Sequence, residues 1–140
     1  MRLFIAIELP DDIKQAIGRV QEQLRKTGAS ANWTRPEGIH LTLKFLGDVP
    51  DGKMQEILMA LTDAVKGSGS LHLVVEGAGA FPNVKNPRVL WTGVAGDTEK
   101  LALLQASVED AMERVGFGRE ARKFSPHLTL ARIKVPKPGG

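Results

Sequence analysis

The chain has 140 residues, of which 42% are hydrophobic and 25% are charged, as in an ordinary soluble globular protein. This length allows one compact domain or two small lobes that share a core. The absence of cysteine excludes a disulfide scaffold and a thiolate metal site, and it fits the reducing cytoplasm. No run approaches the roughly 18 apolar residues of a membrane-spanning helix. The net charge of +3 excludes the dense basic surface of a protein that holds long duplexes by charge.

Strands and helices alternate in the predicted fold. The opening run MRLFIAIELP is interrupted by Glu8 and Pro10, so it predicts a strand and not a secretion signal. Apolar residues then recur at helical spacing in three segments. The elements predicted in chain order are a strand at 2–9, a helix between Asp11 and Gly28, a strand at 40–46, a helix between Asp51 and Gly67, strands at 71–76 and 88–94, a helix between Asp97 and Gly116, and a strand at 127–133. The class is therefore α/β or α+β, and the closing KVPKPGG predicts a loose tail.

The tetrapeptide His-Leu-Thr-Leu occurs twice, beginning at His40 and at His127, in a chain with only three histidines. A shift of 87 residues also aligns Phe4 with Trp91, and a strand and a helix precede each copy. The sequence therefore contains a β-α-loop-β unit that is used twice. A duplicated unit packs naturally about a pseudo-twofold axis, which would bring the two histidines to face each other across a cleft.

Each tetrapeptide has the pattern of a half-buried strand. Residues two apart share a face, so the leucines point into the core while the histidine and the threonine point to the other side. Near neutral pH one imidazole can take a proton from water and the other can give one to a leaving oxygen. Threonine hydroxyls can donate hydrogen bonds to phosphate oxygens. One copy alone is more typical of an ordinary strand, but the pair indicates acid–base chemistry on a phosphate, which needs no metal.

Four segments carry a family resemblance: RLFIAIEL, WTRPEGIHLTLKFLG, PRVLWTGV and FSPHLTLARI. They resemble the two-histidine phosphoesterases, and among these the RNA 2′,3′-cyclic phosphodiesterase or 2′-5′ RNA ligase family. The resemblance implies an α+β fold with two pseudo-symmetric lobes, each an antiparallel sheet with flanking helices, around a central cleft. One domain would span residues 1–135, with lobes that share the core, and a flexible tail would follow at 136–140. The family hydrolyses a terminal 2′,3′-cyclic phosphate to a 2′-phosphate, and the reverse reaction joins RNA ends through a 2′-5′ bond.

The resemblance also implies roles for individual residues. His40 would donate a proton to the departing 3′ oxygen, and His127 would accept a proton from water. Thr42 and Thr129 would hold the phosphate. Arg132 matches an arginine that the family uses just after its second motif. Strict alternation from His127 puts Arg132 on the opposite face of the strand, so it can bind substrate only if a bulge or a bend re-aims it.

Three further residues are candidates for substrate binding. Lys44 shares the face of His40 and Thr42 by alternation, and it either adds positive charge to the site or is a solvated lysine at the end of a strand. Phe4 and Trp91 either stack on a base or ribose or pack in the core.

Two other features are predicted to be structural. His72 has no threonine two residues later and is predicted to be a surface strand residue. The stretch EGAGAFPN, which starts at Glu76, lacks the spacing and the lysine of a phosphate-binding loop and is predicted to be a turn.

The sequence thus predicts a metal-independent phosphodiesterase without a cofactor, which acts on RNA ends or cyclic nucleotides as a monomer in the cytoplasm. Two alternatives stay open. The same chemistry could act on another ring, such as an ADP-ribose cyclic phosphate, or on 2′-5′-linked oligonucleotides. The chain could instead be a non-catalytic module that binds nucleotides or RNA ends.

Overall fold

A computed structural model of the protein describes residues 1–28, 30–83 and 85–134, so the predicted tail at 136–140 lies outside the described residues. In chain order the elements are β1 (Arg2–Ile7), α1 (Asp11–Arg25), β2 (Ala31–Trp33), β3 (Leu41–Asp48), α2 (Met54–Val65), β4 (Leu73–Phe81), β5 (Val89–Gly96), α3 (Thr98–Arg114) and β6 (His127–Ile133). Within this described part of the chain, no helix is long and apolar enough to cross a bilayer.

The three predicted helices are confirmed. The first, α1, has Asp11 in its first turn and Arg25 in its last, which is the charge order that the helix dipole favours. The third, α3, ends at Arg114, and Gly116 follows with a φ of 107°. Glycine adopts this left-handed conformation without the steric cost that other residues incur, so it stops the helix.

The five predicted strands are present with somewhat different ends, and β2 is an additional strand of three residues, Ala31–Trp33, too short to show a period. The prediction of a turn at EGAGAFPN is wrong, because Glu76 to Phe81 form the second half of β4. Gly79 in this stretch allows close packing, because a Cβ there would come within 2.3 Å of the Trp91 ring. Glycine inside a strand often marks such a close approach.

The strands form two antiparallel sheets, one with the order β1-β3 and one with the order β2-β6-β5-β4. With the three helices, this confirms the predicted α+β class. Strand β6 has a hydrogen-bonded neighbour on each side. The second tetrapeptide therefore lies on an interior strand, which holds side chains in the rigid way that a site requires.

The chain divides into two compact units. The first comprises Met1–Ile7, Thr42–Val74 and Ala95–Pro126, and the second comprises Glu8–Leu41, Val75–Val94 and the chain from His127 onward. Helices α2 and α3 thus belong to the first unit, and α1 and β6 to the second. The single domain with a shared core at 1–135 stays a prediction.

The predicted internal repeat is visible in the bounds of the elements. A shift of 87 residues moves the start of β1 at Arg2 onto Val89, where β5 starts, and the start of α1 at Asp11 onto Thr98, where α3 starts. Strand β1 pairs with β3 as β5 pairs with β6. The first unit contains β1, most of β3 and α3, whereas the second contains most of β5, β6 and α1. Each unit therefore combines the strands of one repeat with the helix of the other.

Both units have apolar cores. In the first unit α2 packs against α3, and Ile57, Leu101 and Met112 are buried. In the second unit Ile17 and Ile39 are buried. The leucines of the two tetrapeptides are also buried, as predicted: Leu41, Leu43, Leu128 and Leu130. Burial of each leucine is worth about 1.5–3 kcal/mol, which opposes any slip of these strands in register.

Candidate active site

The second tetrapeptide presents its histidine and its threonine on one face of β6. In the antiparallel pairing with β5, His127 lies opposite Gly93 and Thr129 lies opposite Trp91. His127 and Thr129 are half-buried, whereas Leu128 between them is fully buried. Residues paired across neighbouring strands point to the same side of the sheet. The predicted shared face is therefore confirmed, and Trp91 lies on it as well.

A β-bulge in β6 adds Arg132 to this face. The pairing of β5 with β6 shifts by one residue between Leu90 and Trp91, which leaves Leu130 as the extra residue on β6. Leu130 and the next residue, Ala131, are both buried, and Arg132 after them is exposed. The alternation is thus reset by one step, so Arg132 points to the side of the histidine and the threonine. A bulge is one of the two irregularities that were expected to re-aim Arg132, and it is present in β6.

Arg132 lies beside Asn32 of β2 and Val89 of β5. In the part of the chain that the structure describes, its guanidinium makes no hydrogen bond or ion pair. An exposed guanidinium with five N–H donors matches the geometry of a phosphate. The role of Arg132 in substrate binding stays a prediction, with the geometry in its favour.

Two aromatic rings pack against the His127 imidazole. Phe81 meets it edge to face with ring centroids 5.3 Å apart, and Trp91 lies at 6.4 Å. The indole nitrogen of Trp91 is buried and has no hydrogen-bond partner among the described residues. Contact of Trp91 with a substrate stays a prediction, but the ring is half-buried beside His127 rather than in a core. The sequence analysis missed Phe81, because it assigned this residue to a turn.

The first tetrapeptide places His40 directly before β3 rather than inside it. Its neighbours Ile39 and Leu41 are buried, while His40 and Thr42 are half-buried. The two compact units divide between Leu41 and Thr42, so His40 belongs to the same unit as His127 and Thr42 belongs to the other.

His40 acts electrostatically on the carboxylate of Glu8, which forms an ion pair with Lys14. The Lys14 ammonium donates a hydrogen bond to the Glu8 carboxylate and approaches the Glu37 carbonyl at 3.4 Å. The hydrogen bond and the charge of Lys14 hold the pKa of Glu8 below its ordinary value, and the charge of His40 lowers it further by a smaller amount. Glu8 is therefore an electrostatic neighbour of His40, and the sequence analysis missed it because the two are far apart in the chain.

Lys44 has a structural role. Its side chain is 4% exposed, its ammonium forms an ion pair with Glu109, and it donates to the Gly118 carbonyl at 2.8 Å. Burial raises the pKa of Glu109, but hydrogen bonds from Lys44 and from the Glu120 N–H together bring it below its ordinary value. The predicted substrate-binding role of Lys44 is wrong, and so is the solvated alternative, because α3 supplies a buried carboxylate to this lysine.

Phe4 and His72 are both exposed. Phe4 is 45% exposed and its ring lies 5.8 Å from that of Phe45, so the core alternative is wrong and contact with a substrate stays a prediction. His72 directly precedes β4, and its backbone N–H donates to the Asp97 carboxylate at 2.9 Å. Its predicted surface position is confirmed.

The structure places most of the predicted site residues in the second unit: His40, Trp91, His127, Thr129 and Arg132. The first unit contains the others: Phe4, Thr42 and Lys44. Within residues 1–28, 30–83 and 85–134, no three histidine or acidic side chains are grouped closely enough to hold a metal ion.

Almost the whole chain matches a known family. Residues 7–91 and 94–139 match the family described as LigT like Phosphoesterase. The chain belongs to this family. The resemblance to two-histidine phosphoesterases is thereby confirmed.

Named relatives and solved structures agree with this membership. The chain is 36% identical to the RNA 2′,3′-cyclic phosphodiesterase of Methanothermobacter thermautotrophicus, over 98% of this chain and 73% of the relative. A crystal structure of a Thermus thermophilus protein is similar with a TM-score of 0.80 and 31% identity, over 99% of this chain and 77% of that one. The crystal structure of E. coli LigT complexed with 3′-AMP has a TM-score of 0.76 and 26% identity, over 96% of this chain and 77% of LigT.

Proposed function

We propose that this protein hydrolyses the 2′,3′-cyclic phosphate at the end of an RNA to a 2′-phosphate. The family match and the relative's name as an RNA 2′,3′-cyclic phosphodiesterase support this reaction. The observation that carries the proposal is the bulge in β6, which adds the Arg132 guanidinium to the face that holds His127 and Thr129. An acid–base group, a hydroxyl donor and an exposed cation on one rigid face suit chemistry at a phosphate.

The reaction consists of one displacement at phosphorus. His127 takes a proton from water as the water oxygen bonds to phosphorus, and the bond from phosphorus to the 3′ oxygen breaks. His40 gives its proton to that oxygen, so the products are a 2′-phosphate and a 3′-hydroxyl. The pentacovalent intermediate gains negative charge, which Thr129 and Arg132 on β6 would meet with hydrogen-bond donors, as the resemblance also implies for Thr42.

The division of roles between the two histidines follows the family resemblance, and their surroundings differ. His127 packs against the rings of Phe81 and Trp91. His40 interacts electrostatically with the Glu8 carboxylate. Thus a tetrapeptide that is identical in both copies acquires two different neighbourhoods.

The substrate is an RNA end or a cyclic nucleotide. E. coli LigT is crystallised with 3′-AMP, which supports a ligand of nucleotide size in this family. We expect Trp91 and Phe4 to contact the base or ribose. A 5′-hydroxyl in place of water would form a 2′-5′ bond by the same steps, so ligation of RNA ends belongs to the proposal. The enzyme needs no metal and no cofactor, and we expect a monomer in the cytoplasm, consistent with the absence of cysteine.

The test is an assay on a short RNA that ends in a 2′,3′-cyclic phosphate, with a metal chelator present. The product is separated and compared with authentic 2′- and 3′-phosphate standards by ³¹P NMR. The proposal predicts turnover in chelator and a 2′-phosphate. A strict need for added metal would overturn the mechanism, and a 3′-phosphate would overturn the assignment of the leaving oxygen.

Other substrates are compared in the same assay. The proposal predicts a higher kcat/KM for the cyclic-ended RNA than for an ADP-ribose cyclic phosphate or a 2′-5′-linked oligonucleotide. A higher kcat/KM for one of these other compounds would identify that compound as the preferred substrate. Binding of the cyclic-ended RNA without any turnover would instead identify a non-catalytic module.

A further inference from the structure

A buried glutamine in α1 contacts the β6 bulge directly. Gln21 is 4% exposed, and its side-chain amide nitrogen donates hydrogen bonds to the Thr34 carbonyl at 2.7 Å and to the Leu130 carbonyl at 3.0 Å. The backbone N–H of Thr34 also donates to the Leu130 carbonyl, at 3.0 Å. The two donors that converge on Leu130 therefore come from a helix and from the segment after β2.

Leu130 is the residue that decides where Arg132 points. As the extra residue of the bulge, it shifts the alternation of β6 by one step. Without this shift, Arg132 would point to the opposite face from His127, because positions five apart on a regular strand lie on opposite faces. Whatever fixes the Leu130 carbonyl therefore fixes the direction of the Arg132 side chain.

The burial of an amide at this position needs an explanation. A buried polar group is costly unless it is hydrogen-bonded, and an apolar side chain would serve the packing of α1 at lower cost. Both N–H groups of the Gln21 amide are used on backbone carbonyls next to or within the bulge. The amide thus ties a helix to the one irregular point of the strand that holds the candidate site.

We infer that Gln21 is a positioning residue: its amide holds the Leu130 bulge and thereby aims Arg132 at the phosphate. This inference rests on the proposed function. Gln21 does not touch the substrate; it acts through the strand.

The experiment is a double-mutant cycle on hydrolysis of the cyclic-ended RNA. Gln21→Met keeps the length of the side chain and removes both donors, and Arg132→Ala removes the group that is aimed. Gln23→Met is the matched control, since Gln23 is exposed on the same helix. A misplacement of about 1 Å can cost on the order of a hundredfold in rate. We therefore expect Gln21→Met to lower kcat/KM by about tenfold to a hundredfold, with Gln23→Met unchanged.

Measuring Gln21→Met in the Arg132→Ala variant distinguishes a positioning role from a general effect on the structure. If Gln21 acts by aiming Arg132, Gln21→Met causes less than about a twofold further loss in that background. An equal loss in both backgrounds would overturn the inference, as would an unchanged kcat/KM for Gln21→Met in the wild-type background.

Circular dichroism and thermal unfolding of each variant are measured in parallel. If Gln21→Met does not fold, Gln21→Leu replaces it in the cycle, since leucine also lacks both donors. Failure of both to fold would overturn the inference, because the amide would then be needed for folding rather than for aiming. Wild-type protein without activity on cyclic-ended RNA would instead overturn the proposed function.

Discussion

The indole of Trp91 lies directly over Gly79, so that a Cβ on residue 79 would come 2.3 Å from Cζ2 and 2.7 Å from Cη2 of the ring. Contacts with Gly79 and with the rings of Phe81 and His127 thus hold Trp91 in its place. Gly79 of β4 is therefore part of the packing around His127.

We predict that Gly79→Ala moves the Trp91 ring and lowers kcat/KM on cyclic-ended RNA. Forcing extra atoms into a packed contact typically costs about 1–3 kcal/mol, and part of that strain would be relieved by displacing the ring from His127. Gly52→Ala is the control, because a Cβ there meets nothing within 4 Å. An unchanged kcat/KM for Gly79→Ala would show that the position of Trp91 does not matter for the reaction.

The ion pair of Lys44 and Glu109 is predicted to stabilise the fold without taking part in the reaction. Lys44→Met leaves a buried carboxylate without its partner, which typically costs about 3–5 kcal/mol. We expect urea unfolding to show a loss of this size, and the double variant with Glu109→Leu to recover part of it. The KM for the cyclic-ended RNA should stay the same. A raised KM with unchanged stability would show instead that Lys44 binds the substrate.

The lowered pKa of Glu109 predicts how stability depends on pH. Because the folded state favours the carboxylate, the unfolded state binds protons more readily, so the stabilisation is present at neutral pH and is lost as the pH falls below the ordinary value of 4.5. The difference in unfolding free energy between the wild type and Glu109→Gln should therefore shrink between about pH 5 and about pH 3. A constant difference over this range would contradict the assigned ionisation.

Most of the regular structure was predictable from local patterns. Three helices and five strands follow from apolar spacing, because a buried face has to repeat every 3.6 or every 2 residues. The burial of Leu41, Leu43 and Leu128 and the shared face of His127 and Thr129 follow from the same rule. Strand β2 escaped it because three residues show no period.

The parts that were missed depend on contacts between distant residues. The sequence around Lys44 does not indicate that Lys44 will pair with Glu109 on α3. Likewise, the sequence around Glu8 does not indicate that Glu8 will interact with His40. The bulge at Leu130 could only be stated as a condition for Arg132, since it depends on how β5 and β6 pair. Phe81 was missed because the small residues before it predict a turn, although one of them, Gly79, makes room for Trp91.

The roles of the two histidines can be separated by the leaving group. A substrate with sulfur in place of the 3′ oxygen releases a thiolate. This leaving group needs no proton donor, because free thiols already ionise at about pH 8.5. We predict that His40→Ala recovers most of the wild-type rate on this substrate, whereas His127→Ala does not, since water still has to be activated. Recovery by His127→Ala instead would reverse the roles of donor and acceptor.

The most direct measurement of the proposed chemistry is kcat/KM on cyclic-ended RNA for the three histidine-to-alanine variants. General acid–base steps are worth about 10²–10⁴-fold each, so His40→Ala and His127→Ala should each lose on this order. His72→Ala, at an exposed position outside the candidate site, should match the wild type. If either His40→Ala or His127→Ala retained nearly full activity, the two-histidine mechanism would be contradicted.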